Sequence, residues 1–329
     1  MMTNRWRGLA SGLAMMVGML SPPLPLWATD RITIAYTPIL LTGLIPIAQQ
    51  NGYFKDEDLE VVLKTYPTGA NALDAMLSGQ TDMATVADIP FMLASFTEKD
   101  LHLIATIGTS DNDEKLVTRQ DRGIRKASEL RGHTIGVQSM TSFHYFLYLL
   151  LQKYGIEESE VRFIYKKANE LPIALANGEI DAFTCREPII SQTKQLLGDQ
   201  MLILEEPGLY QKSSNLVARQ SFLDKSGNPS EKFLRALYNA EVFAYQSQER
   251  ASIMIANTIN VPLSTITLGL QSTHLRLTLT QVLLFILENE AEWAIAQGWS
   301  KGNPMPNFLD HMDNRAMTTA KPFGITLIQ

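Results

Sequence analysis

The stretch GQTDMAT, residues 79–85, has a close counterpart in GEIDAFT, residues 178–184. Glycine, aspartate and threonine occupy the same places in both stretches, which begin 99 positions apart (178 minus 79). Each stretch follows a segment of helical periodicity that stops at its glycine, and each ends in a short, mainly apolar strand. The chain therefore contains the same helix–strand unit twice.

Other segments repeat in the same order. TIAYT, residues 33–37, corresponds to TIGVQ, residues 134–138, and LEVVLKTY, residues 59–66, corresponds to VRFIYKK, residues 161–167. Stretches with an apolar helical face lie between these strand-like segments. Alternating strands and helices predict a mainly parallel sheet flanked by helices. Because the whole pattern occurs twice, we predict an α/β fold of two similar lobes.

A further repeat suggests where the chain passes between the lobes. LVTRQ at 116–120 is echoed by LVARQ at 216–220. We interpret the pair as two neighbouring hinge strands near 116–119 and 216–219, with two ordinary strands as the alternative. Long helical stretches after the second crossing are expected to complete lobe one. The predicted domains are lobe one at 30–116 and 219–329, and lobe two at 119–216.

The first 28 residues differ from the rest of the chain. Arg5 and Arg7 precede GLASGLAMMVGML, an uncharged stretch of 13 residues at 8–20, and prolines then lead to Ala28. This is the plan of a secretory signal peptide. The apolar stretch is well short of the roughly 20 residues that cross a bilayer. We therefore expect a signal peptide over residues 1–28, cleavage near Ala28, and a periplasmic protein.

Charge and cysteine content exclude some classes of protein. The chain has 28 basic and 34 acidic residues, so removal of Arg5 and Arg7 leaves a net charge near −8 (26 minus 34). This charge disfavours nucleic acid as a partner, since phosphate binding needs clustered positive charge. Cys185 is the single cysteine. An intramolecular disulfide is therefore impossible, and the fold depends on its core.

The chain resembles a known family over nearly all of its predicted mature length. The resemblance is carried by ITIAYTP, GLIPIAQQNGYFKDEDLEVVL and GANALDAMLSGQTDMATVADIP in lobe one, and by ASELRGHTIGVQSMTSFHYFLYLLLQKYGI and LPIALANGEIDAFTCREPI in lobe two. It resembles the type II periplasmic substrate-binding proteins of ABC importers. Within these it is similar to the group named for nitrate, sulfonate, taurine and bicarbonate uptake, which includes binders of thiamine pyrimidine precursors.

The resemblance implies a function as well as a fold. It implies a type II two-lobed fold with a ligand cleft between the lobes, a small-molecule ligand and no enzymatic activity. It also implies an ABC permease as partner and a monomeric state. A ligand-sensing subunit of a membrane receptor is one alternative, because both roles use the lobe surfaces. A pyrimidine synthase is a remote alternative, because the cysteine-rich stretch of those enzymes is missing here.

Ligands of open α/β sheets bind beyond the carboxyl ends of strands, where loops lead into helices. In lobe two, Ser139, Thr141 and Ser142 open a helix after one strand, and free backbone N–H groups there favour an anion. Arg186 and Glu187 follow the strand IDAFT. Arg186 can clamp an oxyanion, or the two can form a structural ion pair.

Lobe one offers two comparable turns. Thr85, Ala87 and Asp88 follow a strand, and Asp88 is either a helix N-cap or a ligand for an amine. Tyr36 and Thr37 leave the first strand, where Tyr36 is either a wall of the cleft or part of the core. Three hydroxyls and one arginine favour an anionic ligand such as a sulfonate or nitrate. An uncharged aromatic heterocycle held by Tyr36 and Phe143 is left open.

Signatures of metal, cofactor and nucleophile sites are missing from the sequence. The five histidines have no ligand spacing with one another, and there is no H-E-x-x-H or C-x-x-C motif. Neither a phosphate-binding glycine loop nor a G-x-S-x-G elbow occurs. We therefore predict no cofactor, no metal and no catalytic residues.

Overall fold

The structure is a computed structural model that describes residues 1–2 and 30–328. Beyond its first two residues, the predicted signal peptide lies outside the described part of the chain. The strands are β1 Asp30–Tyr36, β2 Leu59–Thr65, β3 Met83–Ala87, β4 Leu101–Ser110, β5 Lys115–Arg119, β6 Thr134–Val137, β7 Arg162–Tyr165, β8 Ala182–Cys185, β9 Met201–Leu204, β10 Lys212–Arg219, β11 Thr273–His274, β12 Leu279–Thr280 and β13 Ile325–Thr326. The helices are α1 Leu44–Asn51, α2 Tyr53–Asp56, α3 Gly69–Leu77, α4 Asp88–Ser95, α5 Ser142–Lys153, α6 Leu171–Asn177, α7 Ile189–Leu197, α8 Gln220–Leu223, α9 Pro229–Gln246, α10 Gln248–Ile259, α11 Leu263–Gly269, α12 Gln281–Ala296 and α13 Arg315–Ala320.

Two main sheets divide the described chain. The first has six strands in the order β11-β4-β10-β3-β1-β2, and the second has five in the order β7-β6-β8-β5-β9. β1 runs parallel to β2 and β3, and β6 runs parallel to β7 and β8. The predicted α/β organisation with two similar lobes is confirmed.

The predicted pairing of hinge strands is wrong. LVTRQ belongs to β5, which pairs antiparallel with β8 and β9 in the second sheet. LVARQ belongs to β10, which pairs antiparallel with β3 and β4 in the first sheet. The chain instead crosses between the sheets at residues 111–114 and 205–211. The interpretation as two ordinary strands is the correct one.

The echo nevertheless has a structural basis. β10 occupies in the first sheet the place that β5 occupies in the second. Each of these strands comes directly after a crossing, so it lies in a different sheet from the strand that precedes it in the chain, β9 or β4. Leu216 lies opposite Thr85, and Leu116 lies opposite Thr184. These threonines close the two stretches GQTDMAT and GEIDAFT, so the repeat extends to the strand register.

The repeated aspartates have the same function in both sheets. Asp82 accepts a hydrogen bond on Oδ2 from the backbone N–H of Thr33 at 2.8 Å. Asp181 accepts one on Oδ2 from the backbone N–H of Thr134 at 2.9 Å. Each carboxylate therefore fastens the start of a third strand to the neighbouring first strand.

The last third of the chain packs mainly on the first sheet. α9 and α10 cover α1, while α12 packs on α4. One apolar cluster joins Val86 and Leu101 of the first sheet to Ile135 and Val137 of the second. Among the described residues, no helix taken singly has both the length and the apolar composition to cross a membrane; α10 and α11 meet the test together but are bent by 117°.

Candidate functional site

A cavity of about 970 Å³ lies between the two lobes. On one side it is lined by the loop after β1, the loop after β2 and one face of α3. On the other it is lined by the loops after β6, β7 and β8. Polar and charged lining residues are Thr37, Thr68, Asn71, Asp74, Ser78, Gln80, Gln138, Lys167, Asn169, Arg186 and Gln192.

The deep end of this cavity continues into a narrower space near the crossings. Thr37, Ile39, Thr68 and Arg186 line both parts. The narrow part adds side chains from the strand ends and helix starts of both lobes. They are Thr42, Gly69, Ala70, Thr85, Val86, Ala87, Pro90, Thr141, Ser142, Phe143, Lys212, Ser213 and Ser214.

Arg186 provides the positive charge nearest to both parts of the cavity. It follows β8 directly, and its side chain is 10% exposed. Its guanidinium lies over the ring of Phe143, 5.3 Å from the ring centroid. Its Nε atom is buried without a hydrogen-bond partner and lies 3.8 Å from Oδ2 of Asp113. A buried donor without a partner costs free energy, so an oxyanion here would satisfy it.

Lys212 lies beside Arg186 at the start of β10. Its ammonium donates hydrogen bonds to Oδ2 of Asp113 at 2.7 Å and to Oε1 of Glu114 at 2.6 Å. It also lies 5.9 Å from the centroid of the Phe143 ring. Because Asp113 and Glu114 lie on the first crossing and Lys212 follows the second, this cluster ties the two crossings together.

Helix starts face the cavity from both lobes. Thr68 caps α3 by accepting a hydrogen bond on its hydroxyl from the backbone N–H of Asn71 at 3.2 Å. Thr141 and Ser142 begin α5 and lie in the narrow part. The first N–H groups of a helix have no partner within it, and the helix dipole favours negative charge there. The cavity is therefore suited to an anion.

Six of the ten predicted site residues line the cavity. These are Thr37, Thr85, Ala87, Thr141, Ser142 and Arg186. The backbone N–H of Thr37 donates to the hydroxyl of Thr85 at 3.0 Å, and the hydroxyl of Thr141 donates to the carbonyl of Gln138 at 2.7 Å. Their contact with a ligand remains a prediction.

The other four predicted residues lie elsewhere. Tyr36 is 1% exposed and belongs to the core of the first lobe, where burial raises the pKa of its hydroxyl to about 12. Ser139 is exposed and does not line the cavity. Glu187 accepts a hydrogen bond from the backbone N–H of Ser191 at 3.0 Å, and burial raises the pKa of its carboxyl.

Asp88 is the fourth, and its role is structural. It is fully buried and accepts hydrogen bonds from the Tyr210 hydroxyl at 2.6 Å and from the backbone N–H of Ser213 at 2.8 Å. Burial raises the pKa of its carboxyl, although these bonds oppose the shift. Asp88 begins α4, whose N-cap is Ala87. It supports the segment that carries Ser213 and does not itself reach the cavity.

Sequence reasoning missed part of the lining. Thr68 and Asn71 follow β2, so the rule that ligands bind beyond strand ends could have found them. Lys167 and Asn169 follow β7 in the same way. Lys212 has no local signal, because it faces the cavity only after the second crossing returns the chain to the first sheet.

Comparisons with known proteins agree with this geometry. Residues 42–251 match the family model described as NMT1/THI5 like. A protein of Escherichia coli K12 with the provisional name aliphatic sulfonates-binding protein is 22% identical over 197 residues, or 60% of this chain. That match spans 61% of the relative's own length.

Solved structures share the fold. The alkanesulfonate-binding protein SsuA from Xanthomonas axonopodis pv. citri, bound to MOPS, superposes with a TM-score of 0.73 at 17% identity, covering 87% of this chain and 98% of that one. The desulfurization enzyme DSZB superposes with a TM-score of 0.67 at 12% identity, covering 89% and 99%. The predicted two-lobed fold of periplasmic binding proteins is confirmed, and the same fold also serves an enzyme.

Proposed function

The chain belongs to the NMT1/THI5-like family, and on that premise we propose that it is the solute-binding component of an ABC import system. Its ligand is a small anion of the sulfonate class, held in the cleft between the lobes. The relative and the neighbour described above are named for sulfonate binding, which supports this choice among the anions that the family resemblance implies.

The observation that carries the proposal is the state of Arg186. Its guanidinium is buried on the cavity wall, and the Nε–H donor has no acceptor. Sulfonate oxygens accept hydrogen bonds in the fork geometry that guanidinium offers. The guanidinium packs against the ring of Phe143. This contact positions the group before the ligand binds.

The remaining lining supplies neutral donors and space. Hydroxyls of Ser142 and Ser213 and the start of α3 surround the narrow part. The wider part, with Tyr66, Pro67 and Ile189, leaves room for an organic tail. The Arg186 end is therefore the head-group site, and the wider end receives the rest of the solute.

Capture requires movement of the lobes, which closes the cleft and buries the ligand between them. The chain then delivers the solute to a membrane permease.

We also propose that the chain is exported to the periplasm after cleavage near Ala28. Mass spectrometry of the secreted or periplasmic protein checks this point, and an intact mass that includes residues 1–28 would contradict it.

Binding without turnover is part of the proposal. Cys185 is the single thiol of the chain and is fully buried, and burial raises its pKa well above the ordinary range. A thiol of this kind is a poor nucleophile. Chromatography of a sulfonate after long incubation with the protein should return the compound unchanged, whereas a desulfonated product would establish an enzyme.

Calorimetric titration with a panel of sulfonates, nitrate and bicarbonate tests the binding role. The parent protein should bind at least one sulfonate, and Arg186→Gln should weaken that binding at least about a hundredfold, because a charged hydrogen-bonded contact is lost. Arg131→Gln, at an exposed side chain that does not line the cavity, is the control. Equal affinity of the two variants would reject Arg186 as the anion site.

A further inference from the structure

Two cationic side chains, Arg186 and Lys212, line the narrow part of the cavity, and Asp113 and Glu114 lie against them. We call these four side chains the floor. The exposed fractions of these side chains are 10% for Arg186, 10% for Asp113, 2% for Lys212 and 1% for Glu114. Two are cationic and two are anionic, so their charges sum to zero. The floor can therefore donate hydrogen bonds to an anion although the floor itself has no net positive charge.

The four groups are connected as well as buried together. Lys212 is hydrogen-bonded to both carboxylates, and Asp113 also lies 3.8 Å from Nε of Arg186. The positive charge of Lys212 is therefore already used by two carboxylates. Of these four groups, only the Arg186 guanidinium has a buried donor, Nε, without a partner.

Nearby cations do not alter this balance. Lys115, on β5, is paired with Glu205 at 3.1 Å. Lys167 lines the wide part of the cavity and not the narrow part, so its charge lies outside this floor.

Charge balance at low dielectric sets a limit on the ligand. Interaction between charges a few ångströms apart is strong where water is excluded. One negative charge is accepted by the free donors of Arg186. A second negative charge would lie close to Asp113 and Glu114, and among the described residues no cation other than Arg186 and Lys212 lines the narrow part to balance it.

We propose that this neutral four-charge floor makes the cleft selective for singly charged over doubly charged oxyanions, with Asp113 as the specificity-determining residue. The inference rests on the proposed function, since it concerns the head group that the Arg186 site accepts. Sulfonates carry a single charge at any neutral or alkaline pH. Phosphonates of the same shape carry two in alkaline solution, as phosphate monoesters do.

Ethanesulfonate and ethylphosphonate are the probes, because they share one tail and differ in charge. Calorimetric titration at pH 8.5 is expected to show at least about tenfold tighter binding of ethanesulfonate by the parent protein. Asp113→Asn removes one buried negative charge and leaves Lys212 bonded to Glu114. The ratio of the affinity for ethanesulfonate to the affinity for ethylphosphonate should then fall about tenfold or more.

Two further variants make the test specific. Glu114→Gln removes a negative charge that does not touch Arg186. It should therefore also lower the affinity ratio, but by less than Asp113→Asn does. Asp199→Asn, whose side chain is fully exposed, should leave the ratio unchanged. Thermal melting of each variant checks its fold, and Glu114→Gln carries the test if Asp113→Asn does not fold.

The outcomes separate this inference from the proposed function. A parent protein that binds ethylphosphonate as tightly as ethanesulfonate overturns the inference, and so does a ratio that neither substitution changes. Tighter phosphonate binding that is lost in Asp113→Asn would also overturn it, since Asp113 would then accept a ligand proton. In all three cases sulfonate binding itself stands. Failure of the parent protein to bind any sulfonate rejects the proposed function and the inference together.

Discussion

Arg219 donates a hydrogen bond of 2.6 Å from Nη2 to the carbonyl oxygen of Leu77, the last residue of α3. Its counterpart Arg119 donates from Nη1 to the carbonyl oxygens of Leu175 and Ala176, in the last turn of α6, at 3.2 and 2.8 Å. The final carbonyls of a helix have no partner within it. The arginine of the repeated LVxRQ motif therefore closes the same helix end in both lobes.

This equivalence predicts matched losses of stability. Arg119→Ala and Arg219→Ala should each lower the free energy of unfolding by about 1–3 kcal/mol, because charged hydrogen bonds to helix carbonyls are lost. Urea unfolding measures both. Arg31→Ala, whose side chain is 66% exposed in a surface ion pair, should change it by less than about 0.5 kcal/mol. A loss in only one of the two lobes would contradict the equivalence.

Glu290 predicts a dependence of stability on pH. It is fully buried near the Tyr210 hydroxyl, with Oε2 lacking a partner, and burial raises its pKa well above 4.5, with Asp88 adding to the shift. The folded chain therefore keeps a proton that the unfolded chain releases above its ordinary pKa. Stability then falls as pH rises past that value.

Glu290→Gln removes this dependence. The variant should match the parent protein in urea unfolding near pH 4 and exceed it by at least about 1 kcal/mol at pH 8. Glu288→Gln, an exposed site on the same helix, is the control and should follow the parent at both values. A Glu290→Gln variant that is less stable at every pH would show that its carboxylate stabilises the fold.

His144 predicts the opposite dependence. Its ring lies among the rings of Phe163, Tyr165, Trp293 and Trp299, with centroids 5.1–6.0 Å away. Burial lowers its pKa to about 4. The unfolded chain takes up a proton near pH 6.5 and the folded chain does not, so stability falls as pH drops from about 6.5 to 4.

His144→Phe should remove about 2 kcal/mol of the stability loss between pH 7 and pH 4.5, most of what the shift in pKa corresponds to. Unfolding in urea at pH 7 and pH 4.5 gives the difference. His274→Gln, at an exposed position, should leave the acid sensitivity unchanged. An equal loss of stability on acidification in His144→Phe and the parent protein would contradict this role of His144.

Two serines, one at the first position of α5 and one in the loop before it, allow a residue that lines the cavity to be compared with an exposed one. Ser142 is 6% exposed and lines the narrow part of the cavity, whereas Ser139 is exposed and does not. Ser142→Ala should weaken sulfonate binding by about five- to tenfold, the value of one hydrogen bond. Ser139→Ala should leave the affinity unchanged. Equal effects of the two changes in calorimetric titration would reject this assignment.

Local signals in the sequence account for the elements and for part of the site. The helix ends at Gly79 and Gly178 were predictable, because glycine readily adopts the positive φ that often ends a helix. In the structure both glycines have such angles, +76° and +78°. Strand ends located Thr37, Thr85 and Ser142. Each of these signals extends over only a few residues, so it does not require knowledge of the distant chain.

The sequence by itself determined a two-lobed α/β chain with an anion-suited loop before α5 and an arginine after β8. Only the tertiary structure decided that β5 joins the second sheet and β10 the first. It also decided that Asp113, Glu114, Lys212 and Arg186 meet in one buried cluster. The physical reason is the range of the interactions. Helix stops and strand alternation are encoded within a turn or two of chain, whereas strand pairing joins residues as far apart as Ser110 and Thr273. Such contacts form only when the whole core packs.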